Sequence, residues 1–151
     1  MDGLTTFIVK AKAQTYVGTG ASVAPSRPGA HDLVWQQGAW SYRDSYFGGT
    51  NFAGQEVVWH DDVPVWAMNY FGAVLRPDLI DGERAAGVIR AALIALYASG
   101  RFLGGWRFEH GPYVYVDQSK GDVDAFTGQE TIFFKRAAAY RLTYQGGLVF
   151  T

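Results

Sequence analysis

Residues 52 to 75, FAGQEVVWHDDVPVWAMNYFGAVL, return 74 positions later, without a gap, as FTGQETIFFKRAAAYRLTYQGGLV. Phe52, Gly54, Gln55, Glu56, Tyr70 and Gly72 recur as Phe126, Gly128, Gln129, Glu130, Tyr144 and Gly146. Upstream, Trp35, Gly38, Tyr42 and Asp44 fall over Phe108, Gly111, Tyr115 and Asp117 at an offset of 73, so one residue is inserted between the two registers. The recurrence of FxGQE and YxG in order marks a duplication, a supersecondary unit used twice.

Periodicity says what each unit contains. Tyr140, Leu142 and Tyr144 alternate with Arg141, Thr143 and Gln145, which predicts a strand with one wet face. The equivalent Trp66, Met68 and Tyr70 alternate with Val65, Ala67, Asn69 and Phe71, apolar on both sides, as in a central strand or an interface. Hairpins are expected from 33 to 47 around Gly38 and from 55 to 71 around Asp61 and Asp62, giving about four strands per unit. A helix should precede each set. Asp81 can N-cap one that runs to about Ser99, with Gly100 as its stop, and Asp2 can cap a shorter one with a buried stripe of Leu4, Phe7, Ile8 and Ala11. The expectation is an α+β protein of two internally duplicated α-β4 units, about 1–77 and 78–151 of a single globular domain, with antiparallel sheets, one helix packed per unit and a pseudo-twofold axis. Whether the sheets fuse or close into a barrel stays open.

Composition narrows the function classes. The 151 residues are 48% hydrophobic and 18% charged with a net charge of −1, which excludes a disordered tail and an electrostatically driven nucleic-acid binder. The longest apolar stretch, Ala86 to Ala98, is interrupted by Arg90 and falls short of the roughly 18 to 20 residues a bilayer crossing needs, so no membrane association is expected. The first residues do not read as a signal peptide, and the chain has no cysteine, so a cytoplasmic location is expected and thiolate chemistry is excluded.

The succession TY at 15 to 16, SRPG at 26 to 29, HDL at 31 to 33, YRDSYFGG at 42 to 49, FAGQEVVW at 52 to 59 and PVWAMNYFG at 64 to 72 resembles an uncharacterised bacterial domain family. Its members stand alone or act as effector domains behind an Xre-type helix-turn-helix. The resemblance implies this architecture and a regulatory neighbourhood. It carries over no DNA binding, because no helix-turn-helix fits into the 14 residues before Thr15.

Several residues could carry chemistry. Asp44 and Glu56 both lie on expected strands. If their faces coincide, a partly buried carboxylate among tyrosines would have a raised pKa, suited to general acid-base work with Tyr46 or to holding a cation. Both acids recur as Asp117 and Glu130, which also fits a purely structural use. Arg43, Tyr46, Trp59 and Asn69 belong to the first copy alone; Arg43 and Asp44 point to opposite faces of one strand and cannot grip one small ligand together unless a bulge intervenes. The segment Thr15 to His31 is rich in Gly, Ser and Pro and lacks a counterpart in unit two, so it is expected to be a loop roofing a site, with Arg27 able to fix an anion. His31, His60 and His110 lack metal spacing, and no nucleophile elbow or phosphate loop occurs, so neither a metal nor a cofactor is expected.

Twenty-four aromatics, five Trp, nine Tyr and ten Phe, crowd most densely in unit one, and buried Tyr and Trp need polar partners. The leading expectation is a non-enzymatic module that binds a small organic molecule in an aromatic cleft, with Arg27, Trp40, Tyr42, Asp44, Tyr46, Glu56, Trp59 and Asn69 as ligand contacts. The alternatives are an enzyme using Asp44 or Glu56, with Tyr46, as acid or base, and a dimerisation or protein-interaction domain built on the two-faced strand, which would make the chain a homodimer.

Overall fold

The computed structural model describes residues 3–16 and 21–150. Helix α1, Leu4–Tyr16, buries Leu4, Phe7, Ile8 and Ala11, the stripe expected for it, and continues that stripe through Lys12 and Thr15. The proposed cap Asp2 lies outside the described residues. Helix α2, Gly82–Ala98, begins where expected: Asp81 is extended, and its carboxylate accepts a hydrogen bond from the Arg84 amide at 2.8 Å. Ser99 caps its other end, and Gly100, at φ +81, takes the left-handed turn that stops it. Asp81→Ala should therefore cost about 1 kcal/mol, read as a lower urea midpoint with an unchanged slope.

Among the described residues the strands are β1 (Ala21–Val23), β2 (His31–Gln37), β3 (Trp40–Gly48), β4 (Phe52–His60), β5 (Val63–Val74), β6 (Trp106–His110), β7 (Tyr113–Asp122), β8 (Ala125–Phe134) and β9 (Ala137–Leu148). They form one antiparallel sheet in the order β1-β2-β3-β4-β5-β9-β8-β7-β6. The two halves therefore fuse, and the sheet stays open, with the short strands β1 and β6 at its edges. Fusion occurs where β5 meets β9, and there Tyr70 stands directly opposite Tyr144, its own repeat equivalent. Pairing a residue with its own copy in an antiparallel register places the pseudo-twofold axis between those two tyrosines, normal to the sheet. The inserted residue falls in a turn, between Gly121 and Phe126 of unit two; Gly48 and Gly121, which open the two turns, have φ +90 and +89. The strand read as two-faced, β5, is central.

Both helices lie on one face of the sheet. Trp66, Tyr42, Tyr115, Tyr140, Ile8, Ile80, Leu96 and Ile132 are the largest apolar groups sealed in the core. The opposite face carries no helix among the described residues, and there Phe71 is 54% exposed.

The expected loop from Thr15 to His31 is corrected by the structure. Thr15 and Tyr16 complete the last turn of α1, Ala21–Val23 adds an edge strand, and His31 already belongs to β2. The described remainder does not roof the helix side of the sheet. The Ser26 amide and the Ser45 hydroxyl donate to Asp32 at 3.2 and 2.7 Å, Arg27 donates to Ser45 at 2.9 Å, and the Arg27 guanidinium lies 4.8 Å from the Phe47 ring centre. Asp32, Ser45 and Phe47 all project from the face away from the helices. Burial acts to raise the Asp32 pKa, but hydrogen bonds from Ser45 and Ser26, with the Arg43 charge, outweigh it and hold the carboxyl below its ordinary range.

Candidate functional site

The repeated motif builds a pair of tyrosine-carboxylate contacts astride the axis. Asp44 on β3 sits opposite Glu56 on β4, and Gly54 on β4 sits opposite Tyr70 on β5. With no side chain on Gly54, the Tyr70 ring lies across β4 and its hydroxyl donates to Asp44 Oδ1 at 2.7 Å. Unit two repeats the device: the Tyr144 ring crosses Gly128, and its hydroxyl donates to Asp117 Oδ1 at 2.8 Å. A Cβ on either glycine would run into the tyrosine ring. This explains why FxGQE and YxG recur together. Gly54→Ala should displace the ring, break the bond to Asp44 and cost about 1–3 kcal/mol; Gly128→Ala should match it within error, a comparison chemical denaturation can make. Gln55, the motif's remaining polar residue, points the other way and donates to Asn69 at 2.9 Å.

Four carboxylates are thus buried beneath the helices: Asp44 (4% exposed), Glu56 (3%), Asp117 (4%) and Glu130 (8%). One ammonium sits among them. Lys12 comes down from α1 and donates to Glu56 Oε2 at 2.5 Å, with its Nζ 5.9 Å from the Trp66 ring centre and 5.6 Å from that of Phe102. The repeat does not supply a second one. Lys12 and Tyr16 are four residues apart on α1, as Leu93 and Tyr97 are on α2; the Tyr16 and Tyr97 rings meet edge-on at 6.5 Å, and leucine stands where the lysine would be.

With one buried ammonium among four acids, burial favours the protonated form of the carboxyls that it does not reach. Burial, and then the Glu56 charge, push Asp44 up to about 7, against the opposing effects of the Tyr70 hydrogen bond and Lys12. Burial, and then Asp117, push Glu130 up to about 8. Burial also raises Asp117, with the Tyr144 hydrogen bond and Arg101 opposing it. A hydrogen bond with Tyr115 opposes the rise at Glu130, and among the described residues the Tyr140 hydroxyl is buried without a hydrogen-bond partner.

Two voids adjoin this cluster, and Tyr16 and Tyr70 line both. The inner one, bounded by Lys12, Glu56, Tyr115, Asp117 and Glu130, has about 40 Å³, room for a few waters and no more. The outer one, about 380 Å³, falls within the range of small-molecule sites. Asp44 lies in its lining with Tyr46, Phe52, Tyr70 and Leu33, while Thr15, Ala86 and Arg90 belong to its helical walls. In unit two the region beside Asp117 is built differently. The short connector after α2 brings Arg101 over the Trp106 ring at 5.4 Å; its guanidinium donates to the carbonyls of Leu103 and Gly105, each at 2.8 Å, and the Gly104 amide donates to Ser119 at 2.9 Å.

The structure brings together only part of the expected set. Asp44 and Tyr46 line the cleft, and Glu56 borders the inner void. Tyr42 is sealed in the core, and Trp40 packs against Phe7 at 5.4 Å and His60 at 4.4 Å. Arg27, Arg43, Trp59 and Asn69 lie on the far face of the sheet, away from Asp44. Sequence reasoning missed Lys12, Tyr16 and Tyr97, all on helices outside the repeated segment. Among the described residues, no three His, Asp or Glu side chains converge as a metal site would require, and no helix is long and apolar enough to cross a membrane.

A duplicated α+β sheet with a buried acid-tyrosine cluster on its axis and a cleft beside one half defines the class of protein. Residues 44–149 match the family model described as a domain of unknown function, DUF5680, and the chain belongs to that family. The match spans nearly all of the second unit and, in the first, the strands from the middle of β3 onward. No curated protein and no solved structure matches the chain.

Proposed function

We propose that the chain is a small-molecule-binding module that seats an organic ligand in the cleft over Asp44. The observation that carries this reading is a cleft of about 380 Å³ that pairs aromatic and aliphatic walls with a buried carboxylate. Apolar walls with a few convergent polar groups are the usual anatomy of a ligand site. The differing build of the region beside Asp117 supports it further, because a duplicated scaffold is free to specialise one copy. The resemblance to effector domains behind an Xre-type helix-turn-helix fits a sensor role in a bacterial cytoplasm. Native mass spectrometry of the purified protein should show a discrete non-covalent adduct. Ala86→Trp, at an exposed helix position in the cleft wall, should abolish the adduct and leave the melting temperature unchanged. Identical spectra for the two proteins would count against the cleft.

A second reading rests on Asp44 alone. A carboxyl that titrates at about 7 beside Tyr46 and Tyr70 is poised for general acid-base work near neutrality. Glu56 is less suited to that role, since Lys12 holds it as an ion pair. The fate of the adduct separates the two: a receptor releases its ligand unchanged, and an enzyme alters its mass.

A further inference from the structure

We infer that the ligand of the Asp44 cleft is an organic cation with an apolar body, its charged nitrogen held against the Asp44 carboxylate between the Tyr46 and Tyr70 rings. The inference rests on the binding reading above and names its ligand class.

Three observations converge on it. The first is charge: Asp44 is a buried carboxylate in the lining of the cleft, and the ammonium buried beside it, that of Lys12, is already bonded to Glu56. The second is Lys12 itself. Its ammonium is held by one carboxylate and lies within 6 Å of two aromatic rings, the arrangement by which a protein interior solvates a cation. Asp44, with Tyr46, Tyr70 and Phe52 around it, repeats those components in a void large enough for a ligand. The third is the other half of the duplication. Asp117 has the Arg101 guanidinium near enough to favour its charged form, whereas the opposing positive charge felt by Asp44 comes from Lys12, already engaged with Glu56. Unit one thus leaves to a ligand what unit two supplies from its own connector.

The groups around Asp44 set the pH dependence. They are Lys12 and Tyr16 from α1, Arg90 and Tyr97 from α2, Tyr42 and Tyr46 from β3, Glu56 from β4 and Tyr70 from β5, with Asp32 acting through the sheet from β2. A proton and a cation compete for the same carboxylate. Affinity for a cation should therefore rise as the pH climbs towards about 7 and level off above it, and affinity for a neutral ligand should not.

The test uses three probes of one shape: para-(trimethylammonio)benzyl alcohol, its uncharged isostere para-tert-butylbenzyl alcohol, and the anion para-(hydroxymethyl)benzenesulfonate. Amide shifts of cleft residues, followed by NMR at pH 8, give the affinities. The cation should bind about tenfold or more tightly than the isostere, and the anion should not bind. Asp44→Asn keeps an acceptor for Tyr70 and should erase the preference; Asp117→Asn, the same change in the other unit, should leave it intact. Equal affinity for cation and isostere, or a preference that survives Asp44→Asn, would overturn the charge assignment and leave the cleft as a neutral-ligand site. If none of the three perturbs the cleft at millimolar concentration, the binding reading falls with it.

Discussion

Lys12→Met is expected to lower stability by about 3–5 kcal/mol, the usual cost of stranding a buried charge by removing its partner. The side chains of Lys12 and Glu56 are each 4% exposed, so water cannot take over the lost bond. Methionine fills a similar volume, and the loss will report the stranded charge more than a cavity. Adding Glu56→Gln to Lys12→Met should recover most of it, since the pair is then replaced as a unit and an isosteric neutral group remains. Urea unfolding of the two single variants and the double variant gives the coupling directly. A Lys12→Met protein as stable as the parent would show that Glu56 loses its charge at no cost once the lysine is gone, and a double variant equal to the parent would show that the pair only offsets its own desolvation.

The second large effect is on pH. Asp44 at about 7 and Glu130 at about 8 hold protons more tightly in the folded protein than in the unfolded chain, where carboxyls titrate near about 4. Their contribution is fully present below the unfolded pKa and is lost as the pH rises through the folded values. Stability should therefore decline from about pH 4 to about pH 8, by on the order of 1 kcal/mol per pH unit for each group, and level off beyond. Asp117, also raised, acts in the same direction, while Asp32, lowered, withdraws stability only when the pH falls below the ordinary carboxylate range. Urea midpoints at pH 5, 6, 7 and 8 would follow the decline, and Glu130→Gln should flatten its upper part. A stability that is constant or increasing over that interval would mean that the carboxylates are balanced in the folded state.

Much of the fold was legible because the repeat carried its own check. Two copies of one periodicity fixed the strands, and Asp81 and Gly100 marked the ends of the second helix with ordinary cap chemistry. Strand parity also separated Asp44 from Arg43, and the same parity, applied to Trp59 and Asn69, puts them on the far face where the structure has them. The roof over the cleft was misplaced for a reason of scale. A three-residue edge strand leaves no period to read, and Asp32, which draws Ser26 and Ser45 to the far side, looks in the sequence like any polar residue at a strand start. Lys12 was harder to see. The apolar stripe of α1 runs through Ile8 and Ala11, and the next positions on that face are Lys12 and Thr15, so a charge in a buried row was the available signal. Its partner lies 44 residues away on a strand, and no local pattern joins them.

The pairing of Tyr70 with Tyr144 has an implication for how such a site could arise. An assembly of two identical chains with this axis would repeat every residue beside it, giving two lysines or none among its four acids. Either arrangement is symmetric, and so would be any pocket next to it. Joining the halves into one polypeptide releases that constraint: one helix can keep a lysine while its counterpart carries a leucine, and one connector can run to the far face while the other brings its arginine in. The single chain can thus hold an odd number of charges at its centre and offer one directional site where a symmetric pair would present two equivalent ones.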